Sequence, residues 1–91
     1  MDIRTLEVFC RIVELKSFSR AAEAVYLTQP TVSGHIKVLE EFVGVKLLDR
    51  LGREVLPTKV GELLYGYAKQ ILALRNQAIQ ALEEYKGSLK G

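Results

Sequence analysis

One cysteine, one histidine, two prolines and no tryptophan leave this 91-residue chain few residues suited to covalent or metal chemistry. A single cysteine, Cys10, excludes an internal disulfide. It sits in the apolar run IRTLEVFCRIVEL, which marks it as a small core side chain. His35 has no cysteine or carboxylate arrangement to work with. There is also no nucleophile–base pair, metal-ligand cluster or phosphate loop, so no enzyme is expected and no cofactor or metal is implied. No stretch is long and apolar enough to span a membrane, and the N-terminus lacks a signal-peptide pattern, so the expected location is the cytoplasm. A strong charge of one sign is missing too. Thirteen Lys and Arg against eleven Asp and Glu leave a net +2, which permits nucleic-acid binding without demanding it.

Hydrophobic residues make up 48% of the chain. That is enough for one small core, although a domain of this length is marginal alone and oligomerisation is a common remedy. Helical spacing predicts a first helix over Ile3–Leu15 with Asp2 as its cap. Leu6, Phe9, Ile12 and Val13 form its buried stripe, and Arg4, Glu7, Arg11 and Glu14 face outward. Ser17 or Ser19 caps a second helix, in which Ala21, Ala22 and Val25 let a third helix approach closely. Tyr26-Leu27 makes the connection, with Leu27 pointing inward.

The third helix opens at Thr28-Gln29-Pro30, with Thr28 as cap and Pro30 in the first turn, where a backbone N–H has no partner anyway. Val32, Ile36, Leu39 and Val43 define its buried side. The opposite side carries Pro30, Gly34, Lys37 and Glu41, flanked by Thr31 and Ser33. That face is small, polar and smooth, as a helix needs to be to lie in a groove. Gly44 is the expected stop. Two extended segments, near Lys46–Asp49 and Glu54–Pro57, then flank Arg50-Leu51-Gly52-Arg53, which reads as a two-stranded wing with arginines at its tip.

Thr58 caps a long helix expected to run to about Lys86 and end at Gly87. Val60, Leu64, Tyr67, Ile71, Leu74, Ala78, Ala81 and Tyr85 recur at alternating spacings of four and three. Such a heptad seam packs against another helix. A weaker stripe holds Leu72, Ile79 and Leu82. The small domain cannot cover a helix of that length, so a second copy is the simplest partner. Gly61 and Gly66 are costly in a helix interior unless something packs closely against them.

The ordered set of motifs Leu6-Glu7-Val8-Phe9, Ser17-Phe18-Ser19-Arg20-Ala21-Ala22, Thr28-Gln29-Pro30-Thr31-Val32-Ser33, Ile36-Lys37-Val38-Leu39-Glu40, Gly44-Val45-Lys46-Leu47-Leu48-Asp49-Arg50 and Leu56-Pro57-Thr58-Lys59-Val60-Gly61 resembles the N-terminal DNA-binding domain of LysR-type transcriptional regulators. The resemblance covers essentially the whole chain. It implies a mainly α fold: a winged helix-turn-helix of three helices and a short two-stranded wing over residues 1–57, then a long linker and dimerisation helix over 58–86. Residues 87–91 would begin the hinge into an effector-binding domain that senses a small-molecule inducer and is absent here. The implied function is sequence-specific binding of double-stranded DNA by a homodimer, with the third helix in the major groove and the wing at the minor groove of each half-site. A tetramer is left open for the full-length protein. Three positions depart from the pattern. Gly34 stands where relatives often carry a long base-reading side chain, Leu48 replaces a usual phenylalanine, and Pro57 is unusual before Thr58.

The expected DNA-binding residues are Thr28, Gln29, Pro30, Thr31, Ser33, Gly34, Lys37, Arg50 and Arg53. Gln29 and Ser33 suit base edges, and Thr28, Thr31 and Lys37 suit phosphates. Arg53 suits the minor groove. Arg50 either joins it or pairs with Glu40 at the base of the wing, and His35 is expected to be structural. The competing class is a winged-helix protein-interaction module that dimerises through the long helix without touching DNA.

Overall fold

The computed structural model describes residues 1–90 and orders them as α1 (Ile3–Leu15), α2 (Phe18–Ala24), α3 (Gln29–Val43), β1 (Leu48–Leu51), β2 (Glu54–Pro57) and α4 (Lys59–Lys90). Every helix opens on a side-chain cap that satisfies an otherwise orphaned N–H. The carboxylate of Asp2 accepts from Thr5 N at 2.8 Å, and Ser17 Oγ accepts from Arg20 N at 3.1 Å. Thr28 Oγ1 accepts from Thr31 N at 3.3 Å and Thr58 Oγ1 from Gly61 N at 3.0 Å. Of the two serines open to the role, Ser17 is therefore the cap of α2. Gly44 ends α3 at φ 89°, a conformation glycine adopts without strain.

Val8, Phe9 and Ile12 of α1 meet Ala21, Ala22 and Val25 around α2 and Val32, Ile36 and Leu39 of α3. The two alanines keep the helices close. Thr5 is buried as well, and its hydroxyl is satisfied by His35 Nδ1 at 3.0 Å, so His35 fastens α3 to α1. Val43 does not join this core. It is exposed, because α3 outruns the helices beneath it, and Leu47 and Leu48 return to fill the volume in its place.

The wing begins two residues later than its apolar spacing predicts. Lys46 and Leu47 precede the strand because their backbone groups are claimed elsewhere. Glu40 Oε2 accepts from Leu47 N at 2.7 Å and Leu48 N at 3.3 Å. The carbonyls of Lys46 and Leu47 accept from Thr58 Oγ1 at 2.8 Å and Thr58 N at 3.0 Å. From Leu48 onward the strands pair antiparallel, Leu48 with Pro57 through Leu51 with Glu54, around a turn in which Gly52 takes φ 62°.

Helix α4 has two apolar faces. Leu64, Tyr65, Ala68 and Leu72 pack on the globular part, where Ala68 and Leu72 meet Leu6 and Cys10. Gly61 fits because a Cβ there would run into the carbonyl oxygen of Leu47, whereas a Cβ on Gly66 would meet nothing within 4 Å. Leu64 thus leaves the expected seam for the chain's own core, and Leu72 of the weaker stripe does the same. Val60, Tyr67, Ile71, Leu74, Ala78, Ala81 and Tyr85 stay exposed on a second face, joined by Leu63. The helix does not stop at Gly87 but continues through it to Lys90, since a helix-interior glycine is only a modest cost. Gly91, the last residue of the expected hinge, lies outside the described residues.

A polar clamp joins α1 to α4. Glu14 Oε2 accepts from Tyr65 Oη at 2.8 Å and Lys69 Nζ at 3.2 Å, while Glu14 Oε1 takes Arg11 Nη1 at 2.9 Å. Burial raises the Glu14 pKa, but the hydrogen bonds from Tyr65, Lys69 and Arg11 outweigh it and hold the carboxyl below its ordinary value. The same bond, which only the protonated phenol can donate, pushes Tyr65 up to about 12. Burial raises the Cys10 thiol to about 11, so it packs as a neutral side chain.

Candidate nucleic-acid interface

The side of α3 away from the core is open from its first turn. Gln29, Pro30, Thr31, Gly34 and Lys37 are exposed and Ser33 is half-buried. Nothing stands within 4 Å of where a Gly34 Cβ would be, so the middle of this face is bare backbone. Thr28 and Thr31 are closer to each other than their spacing suggests. Their hydroxyls lie 2.8 Å apart, and Thr28 Oγ1 already caps the helix. Between them one hydroxyl hydrogen remains for an outside acceptor.

The second half of α3 and the wing enclose a cleft of about 900 Å³. Ser33 and Lys37, one helical turn apart, line it from α3 and Arg50 from β1, so the wing brings a residue distant in sequence to the helix pair. Lys46 also lines it, a cation the sequence pattern did not single out, and Glu40, Glu41 and Asp49 add three carboxylates. Arg53 does not line this cleft. It lies beside Gly52 at the hairpin turn, exposed.

Arg50 is not paired with Glu40. That carboxylate is occupied by the Leu47 and Leu48 amides, and the Arg50 guanidinium carbon instead sits 4.5 Å from the centroid of the Phe18 ring. A sequence pattern carries no signal for this contact, because Phe18 reads only as an apolar residue behind a helix cap. Arg4 is similarly recruited, its Nη2 donating to the Val25 carbonyl at 2.6 Å and tying down the end of α2. Tyr26 follows with φ 59° and is 93% exposed.

Three helices, a two-stranded antiparallel wing and an open-faced third helix define a winged helix-turn-helix, here extended by a long C-terminal helix. Residues 3–62 match the family described as bacterial regulatory helix-turn-helix protein, lysR family, and the chain belongs to that family. An uncharacterized HTH-type transcriptional regulator of Azotobacter vinelandii is 42% identical over 91 residues, all of this chain and 63% of the relative. The DNA-binding transcriptional dual regulator OxyR of Escherichia coli K12 is 41% identical, over 98% of this chain and 30% of its own length. The chain therefore spans less than two thirds of these relatives. Among solved structures, the BenM DNA-binding domain in complex with catB site 1 DNA superimposes with a TM-score of 0.89 at 36% identity, covering 92% of this chain and 93% of that one. The DNA-binding domain of CbnR, also solved with DNA, gives 0.85 at 27% identity, over 92% and 97% of the two chains.

Proposed function

We propose that this chain is the operator-binding part of a bacterial transcriptional regulator, a homodimer that reads two half-sites of double-stranded DNA in a sequence-specific manner. The observation that carries this reading is the open face of α3 running into a cleft that gathers Ser33, Lys37 and Arg50 beside the wing. The DNA complexes of the BenM and CbnR domains, which share this fold, support it.

In this reading α3 enters the major groove. The Gln29 amide takes a base edge bidentately and the Ser33 hydroxyl takes a second, while Pro30 and the bare backbone at Gly34 allow close approach. The hydroxyl-bonded pair Thr28 and Thr31 holds a phosphate through its one free hydroxyl hydrogen, Lys37 holds another, and Arg50 takes the backbone between the grooves. Arg53 enters the minor groove from the wing. Of the three cleft carboxylates Glu40 is held by the Leu47 and Leu48 amides, and Glu41 and Asp49 repel phosphates and so steer the backbone towards the cations. Residues 1–57 are the reading unit and the α4 helix, Lys59–Lys90, the dimerising element, leading towards a hinge and an effector-binding domain in the full-length regulator. There a small-molecule inducer acts and a tetramer can assemble.

Dimerisation follows from the second face of α4. A contiguous exposed apolar stripe on a helix that already packs its other face calls for a partner. The working location is the cytoplasm, at the nucleoid; no helix among the described residues is long and apolar enough to cross a membrane. The function needs neither a cofactor nor catalysis.

The test is selection of bound sequences from a random duplex pool, followed by affinity for the enriched duplex across a salt series. A two-half-site consensus is expected, with affinity falling steeply as salt rises because bound phosphates release counterions. If no duplex binds even at low salt, the proposal fails and the protein-interaction module replaces it.

A further inference from the structure

We propose that Phe18 is a positioning residue for DNA binding: its ring holds the Arg50 guanidinium in the cleft between α3 and the wing, set for a backbone phosphate before DNA arrives. The inference rests on reading Arg50 as a phosphate contact.

Phe18 is the first residue of α2, directly after the Ser17 cap, and belongs both to the main core and to the wall of the cleft. Only 9% of it is exposed, so the ring is fixed by packing. Arg50 comes from the wing and places its guanidinium carbon 4.5 Å from the ring centroid. Among the described residues it has no ion-pair partner. Glu40, one of the carboxylates lining the cleft, is held by two backbone amides.

The choice of partner decides what Arg50 can do. A carboxylate would hold the guanidinium through its N–H groups, the same donors a phosphate needs. An aromatic ring holds the planar face by attraction between the cation and the ring quadrupole, and leaves the in-plane donors free. A free arginine must also give up rotamer entropy when it binds; one already lying on a ring has given up much of it. The ring therefore orders the side chain without satisfying it. Because Phe18 opens α2 and Arg50 lies on the wing, the contact also bridges the wing and the helix-turn-helix.

The experiment is a mutant cycle measured by fluorescence anisotropy on the duplex enriched by the chain from a random pool. Arg50→Ala is expected to weaken binding about five- to tenfold and to lower the salt slope by about one. Phe18→Leu, which keeps an apolar core residue, is expected to cost about threefold with the slope unchanged, and Phe18→Tyr to bind as the parent does. On the Arg50→Ala background, Phe18→Leu should cost nothing further. Equal losses from Phe18→Leu with and without Arg50, or no loss at all, would overturn the proposal.

Pentafluorophenylalanine at position 18 keeps the ring's outline but reverses its quadrupole, and should weaken binding as Phe18→Leu does even if the leucine variant folds poorly. Parental affinity with that residue would likewise overturn it. The Arg50 δ-methylene protons give an independent readout. Their ring-current shift is expected in the free protein and should vanish in Phe18→Leu; its absence from the parent is a negative result for the stacked arrangement. If Arg50→Ala binds as the parent does, the phosphate role of Arg50 fails first, while enrichment of a duplex leaves DNA binding itself intact.

Discussion

Gly61 in the first turn of α4 lies directly against the carbonyl oxygen of Leu47, with no room for a Cβ between them. The neighbouring Thr58 hydroxyl and amide hold the carbonyls of Lys46 and Leu47, so the contact is part of a built junction. Gly61→Ala should therefore destabilise the fold by about 1–3 kcal/mol, the usual cost of forcing an atom into a packed site. Gly66→Ala, five residues on and facing open space, should stabilise it by about 0.5–1 kcal/mol through helix propensity. Urea unfolding of the two variants checks the pair, and equal effects of one sign would contradict the junction.

Removing Arg53 should weaken binding to many sequences alike, by about threefold to tenfold, with a shallower salt dependence. Gln29→Ala should instead blur preference at one position per half-site, losing about 1–3 kcal/mol of discrimination there. Anisotropy titrations against the selected duplex and single-base variants separate the two. Sequence-blind losses of the same size from both would remove these roles.

Gly34 leaves a gap that a longer side chain can enter. Gly34→Arg should fold normally and gain preference for guanine at one position near the centre of each half-site, by about 1–3 kcal/mol. Repeating the pool selection with this variant reads the change directly; an unaltered consensus would show that position 34 does not face a base.

Leu74→Glu, or Ile71→Glu, places charge in the exposed stripe of α4. Either should give monomers in sedimentation equilibrium and bind a two-half-site duplex at least about tenfold more weakly, since the second half-site no longer benefits from effective concentration. A charged variant that stays dimeric would mean the copies meet elsewhere.

The α1–α4 clamp makes stability depend on pH in two directions. Glu14 has a lowered pKa in the folded state, so its contribution is present above its ordinary 4.5 and is lost as pH falls through the lowered value. Tyr65 is raised from 10.0 to about 12, so its contribution is complete below pH 10 and is lost as pH rises through 12. At neutral pH Glu14→Gln should cost about 0.5–1 kcal/mol, as expected for a partly exposed network. Denaturation at stepped pH should show the gap to the parent closing in acid. A gap unchanged at pH 2.5 would assign the loss to packing.

Much of this molecule can be read from its residues because local signals dominate it. Asp2, Ser17, Thr28 and Thr58 act on amides within three residues, and Gly44 and Gly52 need only their own φ. The helices and the turn of the wing follow from these. What escaped was decided by contacts between distant segments. Glu40 and Thr58 withdraw Lys46 and Leu47 from the first strand, and no periodicity records that. The side of α4 on which Leu64 and Leu72 fall depends on how the helix lies across α1. Val43 has the right spacing for the core but lies past its edge. Arg50 had two polar partners open to it in the sequence and took an aromatic one.

Thr58 and Gly61 have a mechanical consequence as well. They weld the base of α4 to the wing through the Lys46–Leu47 backbone, and the Glu14 clamp adds a second attachment a turn or two further along. Helix α4, about 48 Å long at 1.5 Å per residue, thus behaves as a handle fixed to the reading head rather than a tether. In a dimer of such handles, a slight scissoring of one against the other would be magnified at the wings. The spacing between the two reading heads of such a dimer would then be set by the angle at which the two rods cross.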